Sequence, residues 1–342
     1  MNKWNKVEST TKIRAYKQIA ENTGMADYAA EKDWWVVQTL SIVFDMEIGK
    51  SLVFKGGTSL SKAWGLIDRF SEDIDLAVDR TFYGFDGDLS KSQRTNLRKK
   101  ANQYITEIFY PELIERFREK GFDNVEFKIE DAVSKDQDPR IIEIYYPNVI
   151  ESPGYIQPRI QLEIGSRSLR EPFTIQKFSS LLDIHYPDKD FTQQAINVPT
   201  VNPERTLLEK IFLLHEEFQR PKEKIRVSRL SRHLYDIYQL SKTDFANKIL
   251  TDKELYETIV IHRHSLTRVG GVDYNLHQPQ TINPIPPTDF INDWKKDYQT
   301  MQEQMIYGDS PSFTRLIDDI KSFISKLNNV KWTMDTIFSK PN

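Results

Sequence analysis

The stretch from Ser51 to Asp79, SLVFKGGTSLSKAWGLIDRFSEDIDLAVD, limits the fold more than any other part of the chain. Leu52, Val53 and Phe54 form an apolar run that stops at Gly56-Gly57, the pattern of a buried strand ending in a tight turn. Thr58 then offers a hydroxyl at an N-cap position, and Leu60, Ala63 and Trp64 supply an apolar helical stripe. After a break at Asp68-Arg69, a second strand places Asp73 and Asp75 on one face. Ile74, Leu76 and Val78 take the other, because strand side chains alternate with a period of two. Two carboxylates on one strand face can share a divalent cation, and hard oxygen ligands suit Mg²⁺. Amides of a Gly-rich turn entering a helix seat phosphate oxygens. Each piece alone is a common surface feature. In this order they describe a site for a metal-bound nucleoside triphosphate, where Mg²⁺ would neutralise charge on the transferring phosphoryl group.

Gly56-Gly57-Thr58 followed by Arg69, Ser71, Asp73 and Asp75 resembles motif I of the AbiEii-type nucleotidyltransferase-fold toxins. These are abortive-infection and toxin–antitoxin effectors that include the MenT toxins. The resemblance implies a polymerase-β-like nucleotidyltransferase core, with Asp73 and Asp75 as catalytic metal ligands and Gly56, Gly57 and Thr58 around the phosphates. Lys55 and Arg69 are the nearest cations to hold a triphosphate, while Lys62, one helical turn past Thr58, is expected to face solvent. Ser71 stands on the rim of the metal site. In some systems of the family a Ser at this place is modified, and a phosphate there would set negative charge beside the carboxylates and oppose NTP binding.

The 342 residues allow one large domain or two ordinary ones. With 39% apolar and 12% aromatic residues a real core can form, so global disorder is excluded. A net charge of −3 points to no partner, so nucleic-acid affinity must come from a local patch. Without cysteine there are no disulfides and no thiolate metal sites. The polar N-terminus, MNKWNKVESTTKIRAY, predicts no secretory signal, and the longest apolar segment, Trp34 to Phe44, is too short to span a bilayer. A cytoplasmic protein with no membrane partner is expected.

Along the chain, residues 1–26 predict a short helix or arm, and Ala26 to Ile48 an amphipathic helix burying Tyr28, Trp35, Leu40, Val43 and Phe44. Thr81–Asp88 reads as a loop and Ser90 to Lys120 as a long helix, whose basic start (Lys91, Arg94, Arg98, Lys99, Lys100) is either a solvated face or a guide for a polyanion. Strands are expected at Val125–Ile129, Ile141–Tyr146, Ile156–Ile164 and Phe173–Ile184. If the third of these lies beside the Asp73/Asp75 strand, Glu163 becomes a third carboxylate, acting as general base or further metal ligand. From Pro199 the composition turns helical, with Pro203 and Glu204 in a first turn and Leu207, Leu208, Ile211, Leu214 and Phe218 as its buried stripe.

The run Asn202–Ile211 is similar to the family's second motif, in which a helix lysine, here Lys210, points at the triphosphate and neutralises its charge. Ser231–Tyr238 resembles the third motif, Arg-Asp-x-x-Asp. Arg232 and Asp236 are retained, but His233 stands where the first Asp is usual. The resemblance implies that Asp236 orients Lys210 or Arg232; on a helix Arg232 and Asp236 are also i,i+4 neighbours. Ser265–Asp289 reads as a long surface loop with Gly270-Gly271 as a hinge, and His262, His264 and His277 form no metal spacing. Two C-terminal helices close the chain (Phe290–Ile306 and Ser312–Leu327).

The expected architecture is α+β: a mixed-sheet nucleotidyltransferase core with N-terminal helices over residues 1–198, a helical domain over 199–342, and a site in the cleft between them. The resemblance implies a Mg²⁺-dependent enzyme that transfers NMP from an NTP to an acceptor hydroxyl, an RNA (tRNA) end, countered by a cognate antitoxin. Alternatives are transfer of a phosphoryl or nucleotidyl group to a protein or small molecule, and a non-catalytic nucleotide-binding module.

Overall fold

A short apolar strand that runs into two glycines can only continue by turning, and the sheet is built outward from that corner. The computed structural model describes residues 3–71, 73–152, 157–167 and 172–340. The chain divides into two units, one formed by Met1–Trp64 and Phe70–Val201, the other by Gly65–Arg69 and Asn202–Asn342.

Among the described residues the first unit holds seven strands: β1 (Leu52–Lys55), β2 (Asp73–Val78), β3 (Glu126–Ile129), β4 (Arg140–Tyr145), β5 (Arg159–Gly165), β6 (Phe173–Phe178) and β7 (Ile196–Val201). They form one sheet in the order β3-β4-β5-β2-β1-β7-β6. The pairs β2–β5 and β1–β7 are parallel and the rest antiparallel. Its helices are α1 (Ser9–Thr23), α2 (Asp27–Asp45), α3 (Gly56–Thr58), α4 (Lys91–Tyr104), α5 (Tyr110–Glu119) and α6 (Leu181–His185). One sheet face packs Phe54, Ile74, Leu76, Ile144, Leu162 and Ile164 against apolar residues of the helices, including Trp34, Leu40, Leu97 and Phe117. Trp34 and Trp35 are both core residues.

Helix α2 departs from the amphipathic expectation. It is buried around most of its circumference, while Tyr28 and Phe44 are only half-buried. Three successive charged side chains near its start are nonetheless enclosed, and each is satisfied. Glu31 accepts from the amides of Val149 (2.8 Å) and Ile150 (3.1 Å), and Lys32 donates to the Gln157 carbonyl (3.2 Å). Asp33 accepts from the Leu181 amide (2.6 Å).

The long helix expected over Ser90–Lys120 is interrupted by a π-turn at Ile105–Phe109, between α4 and α5. Pro111 lies in the first turn of α5 and lacks the N–H that a regular helix would use there. The Phe173–Ile184 strand is shorter than expected, ending at Phe178, because Ser180 accepts from the Asp183 amide and starts α6. Strand β7 replaces the helical start expected at Pro199, so the helical region begins at Pro203. The start of the expected Ile156–Ile164 strand lies outside the described residues.

The second unit is helical: α7 (Pro203–Phe218), α8 (Ser231–Leu240), α9 (Asp244–Thr251), α10 (Lys253–His262), α11 (Ile291–Gln304) and α12 (Phe313–Asn328). Leu207, Leu208, Ile211 and Leu214 are buried as the stripe requires, and Phe218 is half-buried. Residues 263–290 are less loop-like than expected, with a π-turn and two 3₁₀ turns, and with Val272, Tyr274, His277 and Ile282 buried. No helix among the described residues is long and apolar enough to cross a membrane.

Candidate active site

In the first unit, β1 delivers its last residue opposite the carboxylate strand. Lys55 pairs with Asp75 in register, and Asp75 pairs on its other side with Glu163 of β5. Asp73 is opposite Gln161. The burial of β2 alternates as expected, with Asp73 and Asp75 half-buried and Ile74 and Leu76 enclosed. Parallel pairing of β5 with β2 therefore sets Glu163 beside Asp75, on the side of the sheet opposite the core.

The glycine corner meets the same carboxylates. Gly56 has φ +80°, a left-handed conformation that L-residues rarely hold, and an added Cβ would stand 2.0 Å from Asp75 Oδ2. Asp75 thus rests against the glycine's Cα. Thr58 does not cap the turn, because the helix begins at Gly56 with Lys55 at the N-cap, three residues earlier than expected. Its hydroxyl instead donates to the carbonyl of Asp73, binding the turn to β2. Ser59 donates to the Gly56 carbonyl (2.9 Å). Gly57 lies within the first turn, whose leading amides have no side-chain cap, and half-buried Ser71 precedes β2.

Burial raises the proton affinity of Glu163, and the negative charges of Asp75 and then Asp73 raise it further. Gln161 opposes this by donating to Glu163 Oε1 (3.1 Å). Carboxylate oxygens are the donors a hard divalent cation takes, and a cation beside Asp75 would relieve the repulsion felt by Glu163. Among the described residues no three His, Asp or Glu side chains already converge on one point as a metal cage.

The second unit gathers Arg69, Lys210 and Asp236 into a buried cluster. Arg69 Nε and Nη2 each lie 2.7 Å from an oxygen of Asp236, a bidentate pair, and Lys210 Nζ is 2.8 Å from Asp236 Oδ2. Arg69 is brought there by its own short segment: the backbone of Arg69 bridges to Ile306, and the amide of Tyr307 donates to the Asp68 carbonyl (3.0 Å). Burial alone would raise the proton affinity of Asp236, but Arg69 and then Lys210 overcome it and hold the carboxyl well below the usual range. Burial depresses Lys210; Asp236 opposes that, and Arg69 and Arg232 add to it.

The Arg232–Asp236 pair suggested by helical spacing is replaced by these two longer-range partners, which occupy both carboxylate oxygens. Arg232 is half-buried, and its Nε has no hydrogen-bond partner among the described residues. His233 is held neutral by burial first and then by the positive charges of Lys210 and Arg232. A neutral ring at this position adds no anion to the cluster, unlike the acid usual in the motif.

Two contacts here had no local signal. Lys62, expected in solvent, is an enclosed partner of Asp33 at 2.6 Å. The aspartate partner of Arg69 lies 167 residues further along the chain, beyond the reach of any periodicity.

A family model for the nucleotidyl transferase AbiEii toxins of type IV toxin–antitoxin systems matches residues 41–336. Among solved structures, the chain is similar to MenT4, a nucleotidyltransferase toxin from Mycobacterium tuberculosis H37Rv. The TM-score is 0.50 at 16% identity, covering 95% of this chain and 91% of that one. It is also similar to JHP933 from Helicobacter pylori, with TM-score 0.44 at 11% identity, covering 89% and 93%. No curated protein matches. The likeness to MenT4 establishes the fold.

Proposed function

The chain belongs to the AbiEii family of nucleotidyltransferase toxins of type IV toxin–antitoxin systems and is a nucleotidyltransferase; from that premise we propose that it transfers NMP from a Mg²⁺-bound NTP to the terminal hydroxyl of an RNA, a tRNA end, in the cytoplasm. Membership implies an NTP substrate and an antitoxin counterpart. The observation that carries the reading is the seating of Asp75 against Gly56, with Glu163 beside it in register. One corner then supplies both carboxylates and phosphate-facing amides.

Asp73 and Asp75 would hold the cation, which when bound offsets phosphate charge and favours in-line displacement. Gly56, Gly57 and Thr58 present the turn to the phosphates, and Lys55, Ser71 and Arg232 are further candidate contacts. Glu163 takes the proton of the acceptor hydroxyl, whose oxygen bonds to the α-phosphorus as the bond to the β-phosphate oxygen breaks and pyrophosphate leaves. A raised proton affinity suits Glu163 to that task. We assign Lys210 to charge neutralisation on the pyrophosphate, its ammonium fixed by Asp236, which Arg69 in turn holds.

Incubating total RNA with each α-labelled NTP tests this reading. Label should appear on RNA with the wild-type chain and vanish with Asp75→Ala. No α-label on RNA, with label reaching protein in a parallel reaction with γ-labelled NTP, would overturn it.

A further inference from the structure

Eight residues from Gly56 to Ala63 connect the glycine corner to the body of the first unit, and their helix is irregular. Gly56–Thr58 is α-helical, whereas Ser59–Ala63 is a π-turn closed by the Trp64 amide donating to the Ser59 carbonyl (3.1 Å). A widened turn has poorer hydrogen-bond geometry than an α-turn and persists where its surroundings hold it open. Two side chains at its far end do so. The Trp64 indole donates to the Val201 carbonyl (3.0 Å), and Lys62 Nζ lies 2.6 Å from Asp33 Oδ1, both side chains being only 10% exposed.

Asp33 reaches this point from α2, and its second oxygen accepts from the Leu181 amide (2.6 Å) at the start of α6. One carboxylate thereby ties the turn to two other elements. An enclosed ion pair is costly to desolvate, and an apolar residue would fill the same space, so stability is a poor reason for it. The near end of the same eight residues carries the Thr58–Asp73 hydrogen bond and the contact of Gly56 with Asp75.

We propose that Lys62 and Asp33 are a positioning pair, holding the Gly56–Ala63 turn at the pitch that aims its leading amides at the nucleotide phosphates while neither residue touches the nucleotide. This rests on the nucleotide-binding reading above. The test is equilibrium binding of a non-hydrolysable α,β-methylene NTP with Mg²⁺ to the full chain, with circular dichroism confirming that each variant is folded. Lys62→Met should weaken binding by about ten- to a hundredfold, since small misplacements of binding groups have effects of that order. Lys62→Arg, which keeps the charge, should stay within about threefold of wild type, a difference of about 0.7 kcal/mol at most. The double variant Lys62→Met/Asp33→Asn leaves no unpaired buried charge and should fold even if Lys62→Met does not, while still binding weakly. A folded double variant that binds like wild type overturns the inference. Failure of the wild-type chain to bind overturns the nucleotide reading itself, and the inference with it.

Discussion

A β-carbon on Gly56 would collide with Asp75 in a backbone conformation already adverse to L-residues. Gly56→Ala should therefore cost about 1–3 kcal/mol from backbone strain alone, read by urea denaturation, and should displace the carboxylate enough to abolish transfer. Asp236→Asn removes the carboxylate that holds Arg69 and Lys210, all three side chains at least nine-tenths buried. Breaking such a pair costs about 3–5 kcal/mol, so the variant should lose a large part of its folding stability in the same assay. What the sequence showed at this scale followed from short-range rules: the facing of Asp73 and Asp75 from the strand period, and the place of Glu163 from the same alternation once β5 paired with β2. The partners of Lys62 and Arg69 obey no local rule, because Asp33 and Asp236 reach them from distant segments. Thr58 was misassigned as a cap because a hydroxyl after two glycines suits that position equally well, and only the fold offers it the Asp73 carbonyl.

At the scale of elements, the strand–turn–helix–strand order of the corner and the paired C-terminal helices were legible from apolar periodicity. Strand β7 was not, since Pro199 within a run argues against a central strand. The sheet tolerates it because the pairing of β7 with β1 is confined to Phe54 and Thr200, while β6 pairs along its full length. The boundary between β6 and α6 was hidden because Phe173 to Ile184 holds no Gly, Pro or Asn to break it, and Ser180 decides it. Its hydroxyl accepts from the Asp183 amide (3.1 Å) and donates to the Asp183 carboxylate (2.5 Å). Ser180→Ala should cost about 1 kcal/mol, seen as a lower thermal midpoint with unchanged nucleotide affinity.

Over the whole molecule the two units should answer acid in opposite senses. In the second unit, burial lowers His215 from 6.5 to about 4. Glu216, where burial is outweighed by Arg263 and His277, falls from 4.5 to about 2. Both bind protons more readily when unfolded, so His215's contribution is complete above pH 6.5 and is lost as pH falls toward 4, and Glu216's follows between 4.5 and 2. In the first unit burial raises Glu31 from 4.5 to about 7, against the pull of the Val149 and Ile150 amides. Its contribution is complete below pH 4.5 and lost as pH rises through about 7. Hydrogen exchange, corrected for intrinsic rate, should show α7 losing protection and the start of α2 gaining it between pH 7 and 5. His215→Gln should flatten the α7 trend.

The central claim, that Asp73 and Asp75 with the glycine corner grip a metal-loaded nucleotide, is tested most directly by titrating Mn²⁺ into the chain with a non-hydrolysable NTP and following free Mn²⁺ by electron paramagnetic resonance. Wild type should take up the ion only when nucleotide is present, and Asp73→Asn and Asp75→Asn should take up none at the same concentrations. Uptake by either variant equal to wild type would contradict the account.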